Sequence, residues 1–197
     1  MSPNIAIITN RCILRLYNDG SPNKAALSSL RTSNSVVSKK ATAIWPLLFE
    51  VMPEKLLSKN GKPTYAEIAI FTSLRAYAVY QQGKENPAFV DIFRKDYDYN
   101  SARLFRVLSR LRQDETIREA LDRRVEAVLA SSNIDFVCRS LIHLIDILKS
   151  NQNVTKIDFA HLALDLYDYQ FGYEGARRIS LRWGQEYFYV NDKVQDK

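Results

Sequence analysis

The stretch "PTYAEIAIFTSLRAYAVYQQG", residues 63–83, constrains the fold most. It is apolar nearly all the way round at helical spacing, which marks a buried helix. Its ends are marked too. Pro63 precedes it, Thr64 and Glu67 have the spacing of a capping box, and Gly83 is placed to end it. The remaining apolar positions keep the helical period, and no segment alternates as a strand would. The expectation is an all-α protein of about ten helices in two small helical-bundle subdomains. These are residues 1–85 and 101–197, joined by a polar, Tyr- and Asp-rich connecting segment, 86–100.

Local signals divide the rest. "NIAIITNRCILRLYN" stops at the turn signal Asn18-Asp19-Gly20, and "NKAALSSLRT" follows Ser21-Pro22. "SVVSKKATAIWPLLFEVMPEKLL" reads as helix broken near Pro46 and Pro53. Asn100 is the expected cap of the helix in "SARLFRVLSRLRQ", and Asp158 of the one in "KIDFAHLALDLYDY". Ile134, Val137, Leu141, Leu144, Ile145 and Leu148 form a core-facing stripe.

Catalytic constellations are missing. His143 and His161 fall on separate helices, with no His-x-x-x-His. The six glycines form no phosphate-cradling loop, and Ser and Cys lack a nucleophile motif. Asp165 and Asp168 share a helical face, read as solvated acids rather than a cation site. The expectation is no enzyme, no metal and no cofactor. Cys12 and Cys138 form no C-x-x-C, which fits a reducing, cytoplasmic compartment. No secretory signal is recognised, and no apolar run reaches the roughly 20 residues of a membrane span.

Charge gives the positive signal. The net charge is +6, and residues 1–62 carry all of it, with nine Lys or Arg against Asp19, Glu50 and Glu54. In "SARLFRVLSRLRQ", Arg103, Arg106 and Arg110 fall at i, i+3 and i+7 of a helix, opposite Leu104, Val107, Leu108 and Leu111. They are expected to form an exposed stripe without local acids, suited to phosphate. Arg118, Arg123 and Arg124, by contrast, are interleaved with acids. Arg75 is the single charge between Glu67 and Lys84; it snorkels, pairs with a distant acid, or points at a ligand. Arg177, Arg178 and Arg182 lie on the last helix beside an apolar stripe of Ile179, Trp183 and Tyr187. Arg139 follows Asp135 by four residues, so a local ion pair competes there with ligand binding. Lys24 and Arg31 share a short helix, with Lys39 and Lys40 following.

An ordered set of segments carries a resemblance. "NDGSPNKAALSSLRTS" is followed by "LRAYAVYQQG", "SARLFRVLSR", "VCRSLIHLIDILKS", "IDFAHLALDLYDY" and "RRISLRWGQEYF". This succession resembles the CasB family, the small subunit of the type I-E CRISPR complex Cascade, over nearly the whole chain. Where that family tends to carry paired arginines, this sequence has Leu30-Arg31, Ala102-Arg103 and Arg139-Ser140, and 113–133 resembles an added helix. The resemblance implies a non-catalytic subunit present in two copies among other Cascade subunits on the guide (CRISPR) RNA. It would help hold the target DNA heteroduplex and the displaced strand of the R-loop, with no membrane partner. Lys24, Arg31, Arg75, Arg103, Arg106, Arg110, Arg139, Arg177, Arg178 and Arg182 are the candidate nucleic-acid contacts. Two other classes stay open: a stand-alone helical DNA- or RNA-binding regulator, and a helical scaffold that binds only proteins.

Overall fold

The computed structural model describes residues 4–18, 21–94, 98, 100–151 and 155–189. Among them are nine α-helices: α1 (Ile5–Arg15), α2 (Lys24–Thr32), α3 (Trp45–Val51), α4 (Tyr65–Gln81), α5 (Leu104–Leu111), α6 (Glu115–Ala130), α7 (Ile134–Ser150), α8 (Phe159–Tyr169) and α9 (Gly172–Phe188). The fold is all-α, as the spacing predicted. Two short 3-10 turns, Lys39–Ile44 and Glu54–Leu56, flank α3, so the chain changes course near Pro46 and Pro53. Between α1 and α2, Tyr17–Asn18 pairs antiparallel with Ser21–Pro22. The Asp19-Gly20 tip of the turn expected there lies outside the described residues.

α4 is the central element. Fourteen of its seventeen residues are buried, and it packs on α1, α2, α7 and α8. Its capping box forms: Thr64 Oγ1 accepts from Glu67 N at 3.1 Å, and Thr64 N donates to Glu67 Oε2 at 2.7 Å. Gly83 follows the helix with a φ of 82°, a left-handed conformation that glycine adopts without a Cβ penalty. Two of the buried polar side chains of α4 bind backbone groups outside the helix. Ser73 Oγ donates to the Phe159 carbonyl at 2.5 Å. Gln81 binds the backbone of Lys84, Asn86 and Ala88.

The connecting segment is tied down on two sides. Ala88, Phe89 and Val90 are buried, and Val90 N donates to the Ile157 carbonyl at 3.0 Å. Asn10 Nδ2 of α1 donates to Asp91 Oδ1 at 2.7 Å. α8 packs against α1, α4 and α9, and one buried apolar cluster extends from Ile5 to Tyr187.

Trp183 joins three helices. Its ring stacks on Phe105 of α5 at 4.8 Å and on Tyr169 of α8 at 5.9 Å. Such stacked pairs contribute about 0.5–1.5 kcal/mol beyond their area. At the α8–α9 corner, a Cβ on Gly175 would stand 2.7 Å from the Asp168 carbonyl oxygen, so this approach needs glycine. Among the described residues, no helix is long and apolar enough to cross a membrane.

Two expected caps have different outcomes. Asp158 caps α8, accepting from His161 N at 2.9 Å. Asn100 does not cap α5; the helix starts at Leu104 and Arg103 is its N-cap residue. The cause lies in the preceding turn. Ala102 is buried and its carbonyl accepts from Asp158 N at 2.9 Å, which holds the chain short of helical geometry until Arg103.

Candidate nucleic-acid interface

The position of Arg103 corrects the expected stripe. As N-cap residue it has φ −63° and ψ 140°. It therefore does not share the helical phase of Arg106 and Arg110. Its side chain, 16% exposed, turns inward. Nη2 donates to Asp165 Oδ2 at 2.6 Å, and Nε donates to Glu186 Oε1 at 2.5 Å. Arg182 binds the other oxygen of Asp165, and the Trp183 indole donates to Asp165 Oδ2 at 2.8 Å. Asp165 is thus buried and fully partnered, and the solvated acidic face expected at this position is not formed. Burial lowers the Arg103 guanidinium pKa, but Asp165 and Glu186 outweigh it and raise it. Burial pushes the Asp165 carboxyl up, against its two arginines. Arg103 and half-exposed Arg182 are committed to holding α5, α8 and α9 together.

His161 borders this network. Its Nδ1 lies 2.6 Å from Asp158 Oδ2, and that hydrogen bond raises the imidazole above its ordinary 6.5, against burial. A raised histidine pKa gives stability in full below the unfolded value. That stability is lost as pH climbs through the folded value. Urea midpoints should therefore fall as pH rises above the ordinary histidine value of 6.5. His161→Gln should flatten that fall; equal slopes in both proteins would show that the contact contributes nothing.

The structure brings Arg75 and Arg139 together. Both line a groove of about 540 Å³ between α4, α7 and the segment after α2, with Asn34, Ser35 and Asn133. Arg75 Nε is buried without a hydrogen-bond partner. Burial lowers the guanidinium, and Asp146 acts on it in the opposite sense. Arg139 is exposed. Asp135 lines the same groove, yet among the described residues the salt bridges do not include an Asp135–Arg139 pair. Two guanidinium groups on one concave surface, neither in a salt bridge among the described residues, suit an anionic ligand.

The remaining candidates are more dispersed. Arg106 is half-buried and Arg110 exposed on α5; Arg110 donates to the Ser101 carbonyl at 2.6 Å. Arg177 and Arg178 are exposed on α9, with Arg177 donating to the Leu129 carbonyl at 2.7 Å. Lys24 is exposed at the start of α2 and Arg31 half-buried near its end. Ile179, Trp183 and Tyr187 are buried, as their spacing predicted.

Arg112 belongs to the structural set that sequence spacing does not reveal. It binds Asp122 of α6 through Nε and Nη2 at 2.7 and 3.1 Å, and lies over the Tyr187 and Phe188 rings. Lys84 and Lys149 were also missed. Lys84 Nζ sits 4.3 Å from the Tyr80 ring centroid, and Lys149 Nζ donates to Gln82 Oε1 at 2.8 Å. Their nearness comes from the packing of α4 on α7, for which no local pattern exists. No group of three His, Cys, Asp or Glu among the described residues is arranged to hold a metal ion.

Comparison with known proteins bears on these observations. The fold is similar to that in the crystal structure of CasB from Thermobifida fusca, with a TM-score of 0.67 and 19% sequence identity. The match covers 94% of this chain and 98% of that one. No curated protein matches the sequence. The family model for CRISPR-associated protein Cse2 matches residues 24–188, from the first residue of α2 to the last of α9. With every helix after α1 inside that match, the chain belongs to the CRISPR-associated Cse2 family.

Proposed function

We propose that the chain is a non-enzymatic subunit of a type I-E Cascade complex that binds nucleic-acid backbone. It helps hold the guide RNA–target DNA heteroduplex and the displaced strand in the cytoplasm, beside other Cascade subunits and a second copy of itself. The observation that carries this reading is the groove that Arg75 and Arg139 both line, neither of them in a salt bridge among the described residues. R-loop formation exchanges one duplex for another of nearly equal stability, so a few backbone contacts decide its direction. Contacts of that kind need basic side chains rather than catalytic groups.

Salt titration tests it. Each phosphate of a single strand contributes about −0.7 to the slope of log K against log salt. Three to five contacts give a slope of about −2 to −3.5, with little dependence on base sequence. With Mg²⁺ present, the bound strand should stay intact. Tight, sequence-specific duplex binding would replace this reading with the regulator. Absence of nucleic-acid binding, with acidic proteins bound instead, would replace it with the scaffold.

A further inference from the structure

Helices α4 and α7 run parallel, and their contacts fix the register. Thr72 Oγ1 meets Cys138 Sγ at 3.4 Å near one end, and Lys149 Nζ meets Gln82 Oε1 at 2.8 Å at the other. The residues along this seam have matched spacings of three, four and three. On α4 they are Thr72, Arg75 and Val79, followed by its C-cap residue Gln82; on α7 they are Arg139, Ile142, Asp146 and Lys149. Such spacing keeps each set on one helical face. The Arg75–Arg139 groove occupies the first half of the seam. At its far end stand Lys149 and Lys84, the latter over the Tyr80 ring. Burial lowers the Lys84 pKa, and the neighbouring Lys149 charge lowers it further. Two like charges held together in this way are relieved by an anion. From Arg139 to Lys149, ten residues at 1.5 Å each give about 15 Å.

We propose that the α4–α7 seam is a linear track for one phosphodiester strand, with cationic stations at Arg75–Arg139 and Lys84–Lys149. The track rests on the nucleic-acid reading above and adds to it a direction, a length and two lysines. Because both stations lie on a single line, the track takes one strand lengthwise. Asp146 stands between them and acts on Arg75, so it weakens binding at the centre of the path.

The experiment uses the full chain and a labelled single-stranded DNA of about 20 nucleotides, with affinity and salt slope read for each variant. K84Q/K149Q should bind roughly tenfold more weakly, and its slope should be smaller in magnitude by about 1.4, the value for two phosphates. D146N should bind more tightly, a gain that damage to the fold would not produce. If K84Q/K149Q matches wild type while R75Q/R139Q is weakened, the second station is wrong and the nucleic-acid reading stands. If the lysine variant weakens but D146N changes nothing, the lysines act away from the seam and the track is wrong. If the wild-type chain does not bind the strand, the nucleic-acid reading fails and the track with it.

Discussion

Arg103→Ala is expected to lower stability by about 3 kcal/mol, the lower end of the range for breaking a buried ion pair. Exposed pairs give less than about 1 kcal/mol, so the burial of this one decides the class. The Arg103 side chain is 16% exposed, Asp165 4% and Glu186 9%. Removing the guanidinium leaves Glu186 without its hydrogen-bond donor and Asp165 with Arg182 and Trp183. Those two surviving partners keep the loss at the low end. Arg106→Ala, away from any such pair, should stay within about 0.5 kcal/mol. Urea unfolding of both variants measures the difference. An Arg103→Ala protein as stable as Arg106→Ala would mean that the Asp165–Glu186 network does not hold the C-terminal helices. Pairing Arg103→Ala with Asp165→Asn should give a combined loss smaller than the sum of the two, because the second change removes the charge the first leaves underpaired.

The same residue shows what the sequence could convey. The all-α class was legible because apolar periodicity is a local property, and α4 was the clearest case. Its cap, its end and its burial all follow from residues within one turn of their partners. The stripe on α5 was misread because helical phase depends on where a helix begins. That start is set by the hydrogen bond between Ala102 and Asp158, far apart in the chain. Once Arg103 lies outside the helix, i, i+3, i+7 arithmetic no longer places it. Its true partners are 62 and 83 residues away. Asp165 was misjudged for the same reason: an acid reads as solvated when its arginines come from other helices. Arg75 was legible as unusual, being a lone charge on an apolar helix, but its meeting with Arg139 required the packing of α4 on α7.

In the assembled complex, Arg75→Gln with Arg139→Gln should leave subunit assembly on guide RNA intact and weaken R-loop formation at least roughly tenfold. Tenfold corresponds to about 1.4 kcal/mol. Two charge-assisted contacts at about 1.5–3 kcal/mol each exceed that, and solvent screening at exposed Arg139 reduces their sum. Neither guanidinium has a salt bridge among the described residues, so the fold should tolerate the change. The matched control is Arg118, Arg123 and Arg124 changed together to Gln on α6. Arg118 lies 3.9 Å from Glu115 and binds the Arg112 carbonyl, and Arg124 binds the Ala120 carbonyl. This triple removes more positive charge than the groove pair, so a purely global charge effect would make it the more damaging variant. A local site predicts the reverse. Replacing Arg75 by Lys separates charge from shape: lysine keeps the charge but loses the planar fork, so an intermediate loss indicates bidentate phosphate contact. Should the α6 triple weaken R-loops as much as the groove pair, net charge governs binding and the Arg75–Arg139 groove is not the site.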